Sequence, residues 1–189
     1  NVRLNARLTD GTIVRGETNI DIPKKPGRAS ISKAWLTPKA ALNPHARTAI
    51  LSADLVVIGP GDLYTSIIPN LLVSGMGEAL SKTRGRVAYV ANLMTKRGET
   101  DGFSAHEFID RLANYLKPGT LDYALFNTGK PKPALLKRYR AKGADFITPP
   151  KTEDAGSKTK YILANFLDGP DLIRHDSKRL AVALMQLIL

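Results

Sequence analysis

From residue 2 to residue 8 apolar side chains (Val2, Leu4, Ala6, Leu8) alternate with polar ones (Arg3, Asn5, Arg7), the period-two pattern of a half-buried strand. Asp10-Gly11 is a turn signal, and Thr12-Ile13-Val14-Arg15 resumes the alternation, so the pattern predicts an opening β-hairpin. Residues 20–28, rich in proline and lysine, read as a connector, and 29–36 as a short strand. From Asn43 the period changes. Asn43-Pro44 sets a cap residue before a proline at the first helical position, and Ala46, Ala49, Ile50 and Ala53 follow at helical spacing. Leu55-Val56-Val57-Ile58, Val87-Ala88-Tyr89-Val90-Ala91 and Tyr123-Ala124-Leu125-Phe126 are apolar runs without polar alternation. Such runs mark strands covered on both faces, as in a parallel sheet. The spacing predicts helices over 69–83, 104–116, 132–142 and 177–189. Strands alternating with helices predict an α/β fold, a doubly wound, mostly parallel sheet with an N-terminal β-hairpin. Residues 148–160, rich in Pro, Gly, Ser, Thr and charge, read as a surface loop or a lid.

Composition narrows the class. The 189 residues suit one domain, and no run approaches the roughly 20 apolar residues of a membrane span. The polar start Asn1-Val2-Arg3 lacks the pattern of a signal peptide, so a cytoplasmic protein is expected. The absence of cysteine excludes disulfides, a thiol nucleophile and Cys-ligated metal. A net charge of +11 favours anionic partners, yet the basic residues lie in separate groups near 24–28, 82–86, 130–140 and 151–160. No nucleic-acid-binding module is recognisable and only 6% of residues are aromatic, so no specific nucleic acid is expected.

In open α/β sheets, ligands sit beyond the carboxyl ends of the strands. Three loops leave such ends here, at 59–66, 92–104 and 127–132. In Gly59-Pro60-Gly61-Asp62-Leu63-Tyr64-Thr65-Ser66, the glycines permit close backbone approach, and the next helix would point free N–H groups at a phosphate. Thr65 and Ser66 add hydroxyls. The loop is neither the dinucleotide fingerprint nor a Walker loop, and an ordinary strand-to-helix turn would read the same way. The second loop gathers Asn92, Thr95, Lys96, Arg97, Gly98, Glu99, Thr100 and Asp101. Its Lys96 and Arg97 would neutralise phosphate, while Glu99 and Asp101 would hold Mg²⁺ through oxygen. Ser104 with Glu107 reads as a capping box, and Asp176 as the cap of the last helix. None of the three histidines has metal-ligand spacing with another, and no Gly-x-Ser-x-Gly elbow is present. Arg174 is a second candidate phosphate anchor, because a guanidinium grips two oxygens at once.

Ala41-Leu42-Asn43-Pro44-His45-Ala46, the stretch from Ser52 through Gly59-Pro60-Gly61 and Leu63-Tyr64-Thr65-Ser66-Ile67-Ile68-Pro69-Asn70 to Val73, and Asn92-Leu93-Met94-Thr95 with Gly98-Glu99-Thr100-Asp101-Gly102 carry a specific resemblance. On these segments the chain resembles the YvcK branch of the CofD-like superfamily, whose members are labelled gluconeogenesis factor. The resemblance implies a Rossmann-like sheet and UDP-sugar binding. It also implies a cytoplasmic regulatory role in gluconeogenic growth and cell-shape or cell-wall control, and a homo-oligomer. The superfamily's 2-phospho-L-lactate transferase, of coenzyme F420 biosynthesis, implies the alternative of a Mg²⁺-dependent transferase of phosphorus-containing groups. Gly59, Pro60, Gly61, Tyr64, Thr65, Ser66 and Asn70 match the family's first motif, and Asn92, Thr95, Gly98, Glu99, Thr100 and Asp101 its second. Asp62 stands where the family usually has serine, and would repel a phosphate. Lys96-Arg97 stands where Gln-Pro is usual. The family's Gly-Gly-Gly-Thr-Gly loop and Asp-Asp-Gly-Gly segment do not occur, so the chain reads as the C-terminal part of one CofD-like domain, an incomplete one. Within it, 1–36 would be hairpin and connector and 43–189 the α/β core, with an uncovered strand expected at 55–58 or 87–91.

Overall fold

The computed structural model describes residues 1–24, 27–151, 158–169 and 171–189. The alternating opening forms β1 (Arg3–Leu8) and β2 (Ile13–Arg15), paired antiparallel, and β3 (Ile31–Thr37) pairs with the other side of β1. At the hairpin turn Asp10 Oδ1 accepts from Thr12 N–H at 2.9 Å. A short helix, α1 (Glu17–Asp21), leads out of β2. Leu4, Ala6, Leu8, Ile31 and Ala34 bury the inner face of this small sheet, as the alternation predicts.

The second sheet is parallel, in the order β4 (Leu55–Ile58), β5 (Arg86–Val90), β6 (Tyr123–Asn127), β7 (Lys160–Ala164). Successive residues of each strand point to opposite faces. Val87, Tyr89, Ala124 and Phe126 belong to the main core, which also takes in the small sheet and α5 (Ala105–Ala113). Ala88 and Leu125 face the other way, against Leu180, Ala183, Leu184 and Leu187 of the C-terminal segment that contains α7 (Ser177–Met185). Helices therefore cover both faces, and the fold is the Rossmann-like α/β arrangement that the strand pattern predicts. A third apolar cluster, Leu93, Leu135 and Ile173 with Tyr139 and Phe146 against it, packs α6 (Pro133–Arg140) over the carboxyl end of the sheet. Of the two strands expected to lie uncovered, β4 is the sheet edge, with Val57 40% exposed, whereas β5 is interior and buried.

The caps behave as their chemistry requires. Asn43 Oδ1 accepts from His45 N–H at 2.8 Å at the start of α2 (Pro44–Ser52), Ser104 and Glu107 close a full capping box, and Asp176 Oδ1 accepts from Lys178 and Arg179 N–H. One helix differs from expectation. The segment 69–83 is not continuous: a wide π-helical turn over Leu63–Ile67 runs into α3 (Ile68–Leu71), and α4 (Met76–Ser81) starts afresh. The wide turn directly precedes Pro69, whose ring clashes with the carbonyl four residues back in regular α geometry. The break at 72–75 is set from outside the helix, because Ser74 N–H donates to the Ala40 carbonyl, Leu42 N–H donates to the Ser74 carbonyl, and Gly75 turns the chain with φ 91°. β7 was not expected from the sequence pattern. Of the presumed loop or lid at 148–160, residues 152–157 lie outside the described residues. Among the described residues no helix is long and apolar enough to cross a membrane.

Candidate functional site

Beyond the carboxyl ends of β4 and β5 the structure forms a cleft of about 440 Å³. Pro60, Gly61 and Asp62 line one side, Asn92 through Lys96 the floor, and Tyr139 with Arg174 and His175 the far wall. Four segments far apart in sequence thus meet where α/β sheets hold ligands. At the exit of β4, Gly59 has φ 80°, and a Cβ there would stand 3.1 Å from the Val90 carbonyl oxygen. Glycine lets the two strand ends close on each other. Asn92 Oδ1 accepts from Gly61 N–H at 3.3 Å and ties the first loop to the second.

Glu99 has a different job from the one its acidity suggests. It is 1% exposed; one carboxylate oxygen accepts from Tyr64 N–H and the other from the Thr65 hydroxyl, both at 2.8 Å. The amide expected to point at a phosphate is therefore held by a protein carboxylate. Burial raises the Glu99 pKa above the usual carboxylate range, and the bonds from Thr65 and Tyr64 pull it back only partly.

Lys96 lies beside it. Its ammonium reaches Asp21 Oδ1 at 2.8 Å and Asp62 Oδ2 at 3.1 Å. Desolvation disfavours the charge, but the hydrogen bonds to Asp21 and Asp62 outweigh it and raise the pKa. The aspartate that would repel phosphate and the lysine that departs from the usual glutamine are thus partners, and each neutralises the other. Asp21, Asp62 and Glu99 place carboxylate oxygens within 4.8 Å of one another, a grouping that brings a divalent ion to mind. Here the Lys96 ammonium already serves two of the three acids and Glu99 is bonded by Tyr64 and Thr65, so the set fits an ammonium and not Mg²⁺. Asp101 is not in this group: its Oδ2 accepts from Gly98 N–H at 2.5 Å and closes the loop.

The remaining candidates divide by position. Thr95 and Thr100 are buried; Thr95 Oγ1 accepts from Asp145 N–H at 2.8 Å, and Thr100 Oγ1 from Lys96 N–H at 2.8 Å. Gly98 packs its α-carbon against Pro23, and Arg28 donates to its carbonyl. Tyr64 is a core residue; its hydroxyl donates to the Ile31 carbonyl at 3.2 Å, and burial pushes its pKa up to about 12. Ser66 and Asn70 lie, with Gly59, on a second cleft of about 430 Å³ along the β4 edge, where Asn70 Nδ2 donates to the Ser66 carbonyl at 2.7 Å. Arg97 is exposed and lies along Gly143, outside the cleft. Arg174 keeps its place on the cleft wall, where Nε donates to Asp168 Oδ2 at 2.6 Å.

Two cleft residues escaped the sequence reading. Tyr139 presents a phenol ring to the cleft, and its hydroxyl accepts from Ile173 N–H at 3.4 Å. His175 lines the same wall; burial lowers its pKa, and a bond to the Ala91 backbone offsets this in part, so the imidazole is neutral at pH 7. The signal for both was weak: one tyrosine within a basic helix, and one histidine in a capping segment.

A parallel sheet covered by helices, with a glycine-lined cleft over its strand ends, defines a Rossmann-like α/β protein. The comparisons with known proteins place it further. A sequence model of the family described as 2-phospho-L-lactate transferase CofD matches residues 1–167, and the chain belongs to that family. A protein of Thermotoga maritima called putative gluconeogenesis factor is 42% identical over 187 residues, covering 95% of this chain and 57% of its own length. A Clostridium acetobutylicum protein of the same name is 37% identical over 191 residues, covering 100% and 42%. A crystal structure of a Bacillus halodurans protein of the UPF0052 family superposes with a TM-score of 0.89 at 31% identity, over 98% of this chain and 59% of that one. The chain spans about half the length of the curated relatives it matches.

Proposed function

We propose that this chain contributes the cleft between Gly61, Asn92, Lys96, Tyr139 and Arg174 to the binding of a phosphorylated small molecule, a nucleotide-sugar and specifically a UDP-sugar. The observation that carries the reading is the convergence of these side chains in one cleft of about 440 Å³, within the size range of small-molecule sites. Arg174 supplies charge for a diphosphate, Lys96, paired with Asp21 and Asp62, fixes the cleft's rim, Asn92 and the backbone at Gly61 supply polar contacts, and the Tyr139 ring supplies a flat apolar wall for a base. The remaining candidates support this cleft from behind: Glu99, Thr65, Thr100 and Asp101 hold its two loops in register.

In keeping with relatives called gluconeogenesis factor, the proposed role is regulatory and cytoplasmic, in gluconeogenic growth and control of the cell wall and cell shape. The protein would act as a homo-oligomer, which light scattering of the purified protein tests. The alternative, transfer of a phosphorus-containing group, is favoured by the family description. Against a Mg²⁺-dependent form of it stands the arrangement of Asp21, Asp62 and Glu99, which Lys96 and the 63–67 turn already satisfy.

Calorimetric titration with UDP-N-acetylglucosamine and with GDP tests the reading. The uridine ligand is expected to bind, and Arg174→Ala to weaken it about ten-fold or more, the loss of a charged hydrogen bond. Equal affinity for both nucleotides, or no effect of Arg174→Ala, would remove the support for this cleft.

A further inference from the structure

The outer face of the small antiparallel sheet is unlike the rest of the surface. Period-two geometry puts Arg3, Asn5 and Arg7 of β1 on it, together with Arg15 of β2 and Lys33 and Trp35 of β3. In register, Arg7 stands directly opposite Lys33, and Asn5 lies between Arg15 and Trp35. Like charges opposed across a strand pair cost stability. Folding alone gives no reason to place them there. Arg3, Arg7, Arg15 and Lys33 are all exposed, and among the described residues none of them is in an ion pair. By contrast, Arg86, Lys96, Arg140, Arg174 and Arg179 each have a carboxylate within 4 Å. Over one end of this face lies an open concavity of about 620 Å³ with Trp35, Arg3, Arg15, Asn5 and one acid, Glu17, in its lining, and Arg7 and Lys33 continue the basic track beyond it. Asn5 is 4% exposed and its amide is fixed to the Arg3 carbonyl and the Thr37 hydroxyl at 3.1 and 3.2 Å, which makes a rigid floor.

We propose that this face binds a short stretch of single-stranded nucleic acid, one base stacking on Trp35 and the backbone phosphates meeting Arg3, Arg7, Arg15 and Lys33. Four exposed cations, none ion-paired among the described residues, beside a partly exposed indole combine the two elements of sequence-independent single-strand recognition, a basic track and a stacking platform. Arg3 and Arg7, four residues apart on one strand, are separated by about 13 Å, a reach that suits an extended polyanion better than one small ligand. An acidic peptide would satisfy the cations but has no use for the indole. A membrane surface is flat and would not fill the concavity. No base-edge reading is built into the face, so binding is indifferent to sequence.

Trp35 is the chain's single tryptophan, and its emission reports on this face alone. The test titrates the full chain with a twelve-residue oligo(dT), following Trp35 fluorescence and, with a labelled oligonucleotide, anisotropy. Expected are quenching and an affinity whose logarithm falls with log salt at a slope of about −2 to −3, from three to four phosphates at about −0.7 each. Arg7→Ser/Lys33→Ser, at exposed strand positions, is expected to lower affinity at least five-fold and to flatten the slope by about 1.4, with the circular dichroism unchanged. The proposal is overturned if the oligonucleotide fails to quench Trp35, if the double variant binds as the parent does, or if polyglutamate or anionic phosphatidylserine vesicles quench equally at matched charge.

Discussion

Replacing Glu99 separates the structural account of the second loop from a chemical one. Glu99→Ala removes the acceptor of the Tyr64 amide and the Thr65 hydroxyl, at a site that is 1% exposed. Two donors lose their partner; at about 1–3 kcal/mol for each buried group left unsatisfied, offset by the desolvation of the lost carboxylate, the net cost is about 3 kcal/mol. For a chain of this size that lowers the melting temperature by about 6–12 °C. Glu99→Gln keeps the shape and one acceptor and is expected to cost far less. Because the folded-state pKa of Glu99 is raised, the stability it supports is full below the unfolded carboxylate pKa and is lost as pH rises through the folded value. The stability of Glu99→Gln relative to the parent should therefore improve as pH climbs from 4 through the elevated pKa. Denaturant unfolding at pH 4, 5.5 and 7 measures this directly. If Glu99→Ala melts within 2 °C of the parent, or if Glu99→Gln and the parent keep the same pH profile, Glu99 is not the pin described here.

Gly61→Val places a branched Cβ where even a plain one stands 3.1 Å from Ser66 Cβ; ligand affinity should fall sharply while the melting temperature drops only modestly, as calorimetry and thermal unfolding will show. Gly59→Ala forces a side chain into a backbone with φ 80° and 3.1 Å from the Val90 carbonyl oxygen, at an expected cost of about 1–3 kcal/mol in denaturant unfolding. Tyr89→Phe removes a hydroxyl that is fully buried and without a hydrogen-bond partner among the described residues, so the variant should be as stable as the parent or more so. Duplex DNA should bind weakly, with steep salt dependence and no sequence preference, in a filter or anisotropy assay.

How much of this was legible in the sequence depended on whether local physics decided the matter. The unbroken apolar runs at 55–58, 87–91 and 123–126 announced parallel strands, which became β4, β5 and β6, with β5 and β6 buried and β4 partly exposed at an edge. Asn43, Ser104 and Asp176 announced caps, because capping is settled within three residues. β7 was hidden: Lys160-Tyr161-Ile162-Leu163-Ala164 follows a polar stretch, and Leu163 remains 47% exposed. The break at 72–75 depends on hydrogen bonds between Ser74 and the distant Ala40 carbonyl and Leu42 N–H, which no local pattern encodes. At the site, Gly61, Asn92, Lys96 and Arg174 were picked out as ligand-facing by their chemistry and do line one cleft. Glu99 looked like a metal ligand because acidity is visible in sequence, whereas its partners, Tyr64 and Thr65, lie 35 and 34 residues earlier. The pairing of Asp62 with Lys96 was missed for the same reason, and each was weighed alone.

One cleft over the ends of β4 and β5 is the proposed nucleotide-sugar site. Hydrogen-exchange mass spectrometry of the protein with and without UDP-N-acetylglucosamine tests it most directly, since it reports location as well as binding. Protection confined to peptides covering 59–62, 92–96, 139–144 and 173–175 is the predicted result. Protection that appears elsewhere, or none at a ligand concentration that saturates the calorimetric signal, would contradict it.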